Sequence, residues 1–401
     1  MEYLDLNVLL LLGIVIMIAW GSGKILSNFK LPAVIGYIAA GIVTGTSCFK
    51  LFGPITLGKT ALLNDIALGI IAFMIGGEMN FAKMRHLGKS IITIAVFEAA
   101  GAFLLVFGAS WFMIGKMHYA LILGAIASAT APAATVSVIS QYRAKGPLTT
   151  TILGVVGMDD AVALIIYAFA SAMAMTFISA SSVALGPVVL KAAGEVLLSL
   201  LSGISLGFVT GFGLRKLKSV DETFAVIMGV ILIGEGIACQ FHLSELLVVM
   251  AMAVVAANVA PARVSSIMKG MGMLGFPLVG AFFCLAATRL DFALLPKIGG
   301  LGMVYVICRM AGKYFGARAG AALSKSPDVI RRYIGLALWP QIGVAVALAI
   351  MVERDFGSLG PAGADLSQTA INVLLFTTIL TEIVGPLATR YALHRAGEIK
   401  L

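Results

Sequence analysis

Residues 154–170 read GVVGMDDAVALIIYAFA, an apolar run holding two adjacent aspartates, Asp159 and Asp160. The nearest charges on either side are Lys145 and Lys191. At about 1.5 Å of rise per residue, Asp159 lies roughly 18 Å along a helix starting at Pro147, about half-way through a hydrocarbon core of about 30 Å. If this stretch crosses a membrane, both acids sit near its midplane.

Composition answers the condition. The chain is 60% hydrophobic and 12% charged, whereas soluble proteins are about a quarter charged. It reads as an all-α polytopic membrane protein whose 401 residues allow about a dozen spans, with no residues left for a soluble domain. Glu2 and Asp5 stand where a secretory signal carries basic residues, so the first apolar run is expected to be a retained span. Cys48, Cys239, Cys284 and Cys308 are widely separated in or beside apolar segments, which gives neither a metal-site spacing nor a disulfide framework. His86, His118, His242 and His394 fall at expected helix ends and are not read as ligands.

Breaks in hydropathy divide the chain into thirteen expected spans, at 6–26, 31–49, 60–79, 90–114, 119–140, 148–178, 188–214, 222–240, 243–260, 271–288, 298–317, 330–352 and 367–389. Charge tests the division. The loops after the odd-numbered spans, with the C-terminal segment, hold 19 of the 28 Lys and Arg, and the opposite side holds 7. The positive-inside rule then places the N-terminus outside and the C-terminus in the cytoplasm. The net charge of +9 is thereby mostly topology, and no nucleic-acid partner is indicated.

An ionised carboxylate in hydrocarbon costs at least about 2.5–3.5 kcal/mol on insertion scales, so buried acids face water or a counter-charge. Helix neighbours point about 100° apart, so one aspartate can face a cavity while the other meets a partner. Nearby carboxylates and desolvation raise proton affinity, which suits a group that trades a proton for a cation. The competing reading is a structural polar anchor within the bundle.

Two further stretches are interrupted. ASATAPAATVSVIS at 127–140 carries Thr130 and Pro132, and LALWPQIGVAVALA at 336–349 carries Pro340 and Gln341. Proline frees a carbonyl, and an opened helix at membrane depth is tolerated only where it lines protein or water. Each interrupted span precedes a span with a buried acid, Asp160 in one case and Glu382 in the other. Spans 4–6 and 11–13 thus read as two copies of one unit in inverted orientation, with two broken, crossing helices around a midplane site.

ICRMAGKYFGARAGAAL at 307–323 puts Arg309 and Lys313 on one helical face, with Gly312, Gly316 and Gly320 at the spacing that lets another helix approach. Arg309 matches the aspartates in depth, so an Arg309–Asp159 pair is expected first, with Lys313 as the next candidate partner and snorkelling of both cations as the alternative. Glu78 at the end of span 3 is expected to pair with Lys83 or Arg85. Glu98 and Glu235 are read as bundle-facing structural groups.

LPAVIGYIAAGIVTG at 31–45, DIALGIIAFMIGGEMNF at 65–81, SATAPAATV at 128–136, GVVGMDDAVALI at 154–165 and FPLVGAFFCLAATRLDF at 276–292 together resemble the cation/proton antiporter superfamily, in its aspartate-pair branch. That resemblance implies a homodimer of inverted-repeat protomers. It implies a scaffold and dimer subdomain at 1–87 and 219–296, a core ion-transport subdomain at 88–180 and 297–401, and a linker helix at 181–218. It further implies that Asp160 binds the ion and carries protons, that Asp159 pairs with a basic residue of the cationic helix, and that Thr130 and Gln341 neighbour the ion. Asp160, Asp159 and Thr130 would then hold the monovalent cation. Where the family's aspartate-pair members typically carry lysine, this chain has Arg309, with Lys313 one turn later.

The expected function is alternating-access exchange of a monovalent cation, Na⁺ ahead of Li⁺ or K⁺, for protons across a prokaryotic plasma membrane. The protein is expected to be no enzyme, to use no cofactor and to carry no nucleotide-binding regulatory domain. One alternative is a sodium-coupled organic anion carrier of the same architecture, which an acid pair at the site opposes. An intramembrane aspartyl protease is a remote alternative, because its acids must face each other from separate helices.

Overall fold

The computed structural model describes residues 7–28, 33–45, 48–49, 61–79, 81–179, 185–290 and 292–399. Glu2, Asp5, Lys50 and Lys59, on which parts of the signal-peptide and topology arguments rest, lie outside them. Helices begin with α1 (Val8–Asn28), α2 (Ala33–Thr44), α3 (Ala61–Glu78) and α4 (Phe81–Ile114). Next come α5 (Met117–Ser128), α6 (Pro132–Gln141), α7 (Pro147–Ser179) and α8 (Leu185–Lys216). They continue with α9 (Val220–Gln240), α10 (Glu245–Val259), α11 (Pro261–Ala287) and α12 (Leu295–Leu323). Finally come α13 (Asp328–Tyr333), a 3-10 turn at Ile334–Leu338, α14 (Gly343–Phe356) and α15 (Gly360–Arg395). No strand occurs among the described residues.

These helices fall on the stretches that hydropathy marks. Among the described residues six helices are long and apolar enough to cross a membrane, or eight if each of two bent pairs counts as one. Ile35–Thr44, Met117–Ser128 and Pro277–Ala287 are shorter apolar helices. At 119–140 the reason is the break, which leaves α5 only 12 residues long. Several boundaries also move. α11 starts at Pro261 rather than 271, because the chain turns by 118° between α10 and α11 and resumes as helix at once. α15 starts at Gly360 rather than 367, where a φ of 75° makes the turn from α14. Glycine takes that left-handed conformation at little cost.

The chain divides into two compact units, Met1–Ala82 with Ala193–Ala293, and Lys83–Ala192 with Leu294–Leu401. The first holds α1–α3, α8 from Ala193 onward, and α9–α11. Its helices meet over small residues, as membrane helices do when burial of apolar surface cannot drive association. A Cβ on Gly41 would fall 2.7 Å from Ala287, and one on Gly207 would fall 2.7 Å from the Met252 carbonyl. The helix of the stretch expected as a linker at 181–218 passes from one unit into the other at Ala193, and its later part packs on α10.

In the second unit, α4–α7 and α12–α15 run through the same order twice: a long helix, a broken pair, a long helix. The first broken pair is α5 and α6. The second is α13 with its 3-10 turn, then α14, bent by 47°.

Candidate functional site

Three glycines set the geometry of the site. Along α12, Cβ atoms placed on Gly312, Gly316 and Gly320 would lie 2.6, 2.9 and 2.8 Å from the Cα atoms of Ala102, Glu98 and Ile94. Both sets step by four residues in opposite directions, so α4 lies antiparallel in the glycine groove with its backbone against that of α12. The closest approach of α4 thereby brings the Glu98 side chain to Lys313.

Lys313 is fully buried, and its ammonium is held entirely by oxygen. Glu98 Oε2 lies at 2.6 Å, Asp159 Oδ2 at 3.2 Å and Thr130 Oγ1 at 2.7 Å, and the ammonium also donates to the Ser128 carbonyl. Asp159 thus has an ion pair, but with Lys313 rather than the Arg309 expected from depth. A lysine one turn beyond the arginine reaches the aspartate because α5 ends at Ser128 and leaves room beside Thr130.

Arg309, also fully buried, does something else. Its Nε donates to the Ala127 carbonyl at 3.1 Å and Nη1 to that of Trp339 at 2.6 Å. Nη2 donates to those of Ala129 at 2.7 Å and Pro340 at 3.3 Å. The first halves of both broken helices end here, with carbonyls that have no intrahelical partner and a concentration of negative partial charge. One guanidinium, whose planar fork presents several donors, satisfies both ends together.

The breaks also bond to each other directly. The Ala131 amide donates to the Pro340 carbonyl at 2.9 Å, and Thr135 Oγ1 donates to the Ala337 carbonyl at 2.8 Å. Gln341 Nε2 donates to the Ile126 carbonyl at 2.9 Å and to Tyr305 Oη at 2.9 Å. Thr130, Pro340 and Gln341 therefore meet at one crossing, and Pro132 begins α6 beside it. Thr130 was expected as a cation neighbour, and its hydroxyl here receives the lysine.

Asp160 is the next residue along α7 and is buried, 5% exposed. Glu382 on α15 is fully buried and faces the Gln341 backbone. Glu78 is not part of this cluster: it stands exposed at the end of α3 in the other unit. The pairing expected for it involves the side chains of Lys83 and Arg85, which lie outside the described residues.

Glu98 is the residue that sequence reasoning undervalued. A signal was present in FEAAGA at 97–102, a small-residue face that complements the glycines of α12.

Comparison with known proteins agrees with this architecture. Residues 11–393 match the family described as sodium/hydrogen exchanger, transmembrane. The chain is 23% identical over 435 aligned positions to the Na(+)/H(+) antiporter NhaG of Bacillus atrophaeus, covering 99% of this chain and 78% of that protein. It is 24% identical over 375 positions to the ammonium/H(+) antiporter subunit AmhT of Alkalihalophilus pseudofirmus, covering 91% of each. The fold is similar to that of the sodium proton antiporter MjNhaP1 from Methanocaldococcus jannaschii, with a TM-score of 0.82 at 16% identity over 97% of this chain and 98% of that one. Two broken helices crossing over buried acids, in a chain matched along nearly its whole length, mark this integral membrane protein as a member of the sodium/hydrogen exchanger family of transporters.

Proposed function

We propose that this protein exchanges a monovalent cation, Na⁺ in the first place, for protons by alternating access across a prokaryotic plasma membrane. The observation that carries this proposal is the imbalance of buried charge around the crossing. Four acids, Glu98, Asp159, Asp160 and Glu382, and two bases, Arg309 and Lys313, stand on the long helices of the second unit, and all six are nearly or fully buried. Fully ionised, these six side chains sum to a net negative charge, which is costly to hold in a low-dielectric interior. Protons or cations must make up the difference. A site that needs one or the other is suited to exchange.

Asp160 is the group we assign to the ion and the proton. Asp159 is held by Lys313, and Glu98 gives the ammonium a second carboxylate, so Lys313 keeps a partner when Asp159 turns to a cation. The oxygens now gathered on that ammonium are of the kind that bind hard cations. An excess of buried acid disfavours an organic anion as substrate. The unit containing α4–α7 and α12–α15 is the ion-transport part in this scheme, the other unit is the scaffold and dimer part, and the protein works as a homodimer with its N-terminus outside.

The test is transport by the purified protein in liposomes, with luminal pH followed while external Na⁺, Li⁺, K⁺ or NH₄⁺ is varied. Addition of Na⁺ should dissipate an imposed proton gradient, and one cation should be preferred. A luminal pH that responds to none of the four rejects the proposal.

A further inference from the structure

The helix that carries both aspartates has no cap of its own. At its start stand Gly146, which has no side chain, and Pro147, which has no amide hydrogen. The first intrahelical bond runs from the Thr150 amide to the Gly146 carbonyl, 3.0 Å, which makes Gly146 the capping position. The amides of the second and third helical residues then need an acceptor, normally the side chain at the cap. Here both are taken by a residue from the far end of the sequence. The Leu148 amide donates to Glu398 Oε1 at 2.7 Å. The Thr149 amide and hydroxyl donate to Glu398 Oε2 at 2.7 and 2.6 Å.

Glu398 is aimed there by a built turn. α15 ends in the pattern in which a left-handed glycine reverses the chain. Gly397 has φ 75°, its amide bonds to the His394 carbonyl at 2.9 Å, and the Glu398 amide bonds back to the Leu393 carbonyl at 3.0 Å. Ile399 is then buried in an apolar cluster with Leu148, Ile330, Ile334 and Leu393. Capping position and capping residue are matched: a Cβ on Gly146 would fall 2.6 Å from Glu398 Cγ, so the glycine makes room for the carboxylate.

We infer that Glu398 is a positioning residue for ion exchange, a clasp that ties α15, which carries Glu382, to the start of α7, which carries Asp159 and Asp160. A helix cap alone serves stability, and any side chain at position 146 able to accept the two amides supplies it. A clasp also fixes the two helices relative to each other, and only a residue arriving from α15 does that. The two roles separate in one set of variants.

The inference rests on the exchange reading for its transport readout only. In liposomes, Glu398→Ala should raise the apparent KM for Na⁺ by about five-fold, the size of one lost helix cap, with the maximal rate changed less. Glu398→Gln keeps the size but loses one acceptor and should fall between. Gly146→Asn in the Glu398→Ala background restores a local cap, so melting temperature and the slow hydrogen exchange of amides 148–149 should recover while KM stays raised. In the native background the same Gly146→Asn should be harmful, since its Cβ meets Glu398.

Recovery of KM together with stability in the double variant would reduce Glu398 to a plain cap, and a native KM in Glu398→Ala and Glu398→Gln would remove the role altogether. If the unaltered protein shows no cation-dependent pH change, it is the exchange reading that has failed. The clasp is then decided by amide exchange along α7 near residues 159–160, which must rise in the capped double variant for the inference to stand.

Discussion

The Lys313 ammonium lies 2.6 Å from Glu98 Oε2, closer than the 3.2 Å that separates it from Asp159, and all three side chains are shut away from solvent. One cation therefore answers for two carboxylates on different helices. Lys313→Ala leaves both without a counter-charge, a change that typically costs about 3–5 kcal/mol for a buried pair. Proton uptake by the acids relieves the penalty, so the variant should be most stable at low pH and lose stability as pH rises. Adding Glu98→Gln to Lys313→Ala should recover part of the loss, because one stranded charge is removed. Melting curves of the two single variants and the double across pH measure this, and strictly additive losses would mean that the two residues are not coupled.

Much of this arrangement was legible in the sequence because of membrane physics. Charges are scarce in hydrocarbon, so Asp159, Asp160, Arg309 and Lys313 stood out, and the prolines at 132 and 340 announced the breaks. The assignment of partners was not legible. Depth along a helix places Arg309 level with Asp159, but it says nothing of the orphan carbonyls at Ala127, Ala129, Trp339 and Pro340, which exist only once two broken helices cross. Those carbonyls take the guanidinium, and the aspartate is left to the lysine. Glu98 was hidden for a related reason: its importance comes from the groove against which α4 packs. The fold of Glu398 onto α7 was invisible, since no local pattern links residues 250 positions apart.

The groove itself is testable. A methyl group on Gly316 would fall 2.9 Å from the Glu98 Cα, with the Phe97 carbonyl closer still, and backbone cannot give way as a flexible side chain can. Gly316→Ala should push α4 off α12 and destabilise the protein by about 1–3 kcal/mol, the usual range for overpacking. It should also lengthen the Glu98–Lys313 pair. Gly299→Ala, where an added Cβ meets nothing within 4 Å, serves as the control. Equal melting temperatures for the two variants would show that the close approach is not required.

Asp160→Asn preserves size while removing the charge and the titration. Exchange in liposomes should fall to background while the protein stays folded, as a cooperative melt checks. Near-native exchange by this variant would take the ion from Asp160 and turn attention to Glu382.

Arg309 separates a structural cation from a transporting one. Its bonds run to four carbonyls on two helix ends, with distances from 2.6 to 3.3 Å. The sequence alone suggests that Arg309→Lys keeps an ion pair and is tolerated. The structure gives the opposite expectation, because an ammonium is a compact point charge and does not span both ends as the planar fork does. Each hydrogen bond to a charged group contributes about 1.5–3 kcal/mol, so losing even two should lower stability by several kcal/mol. Arg309→Lys should accordingly melt well below the native protein at every pH, with Arg309→Ala lower still. Arg309→Ala paired with Asp159→Asn should show little recovery, because Asp159 answers to Lys313. Substantial recovery in that pair, together with a native-like melt for Arg309→Lys, would restore the aspartate as the arginine's partner and overturn its role as the shared cap.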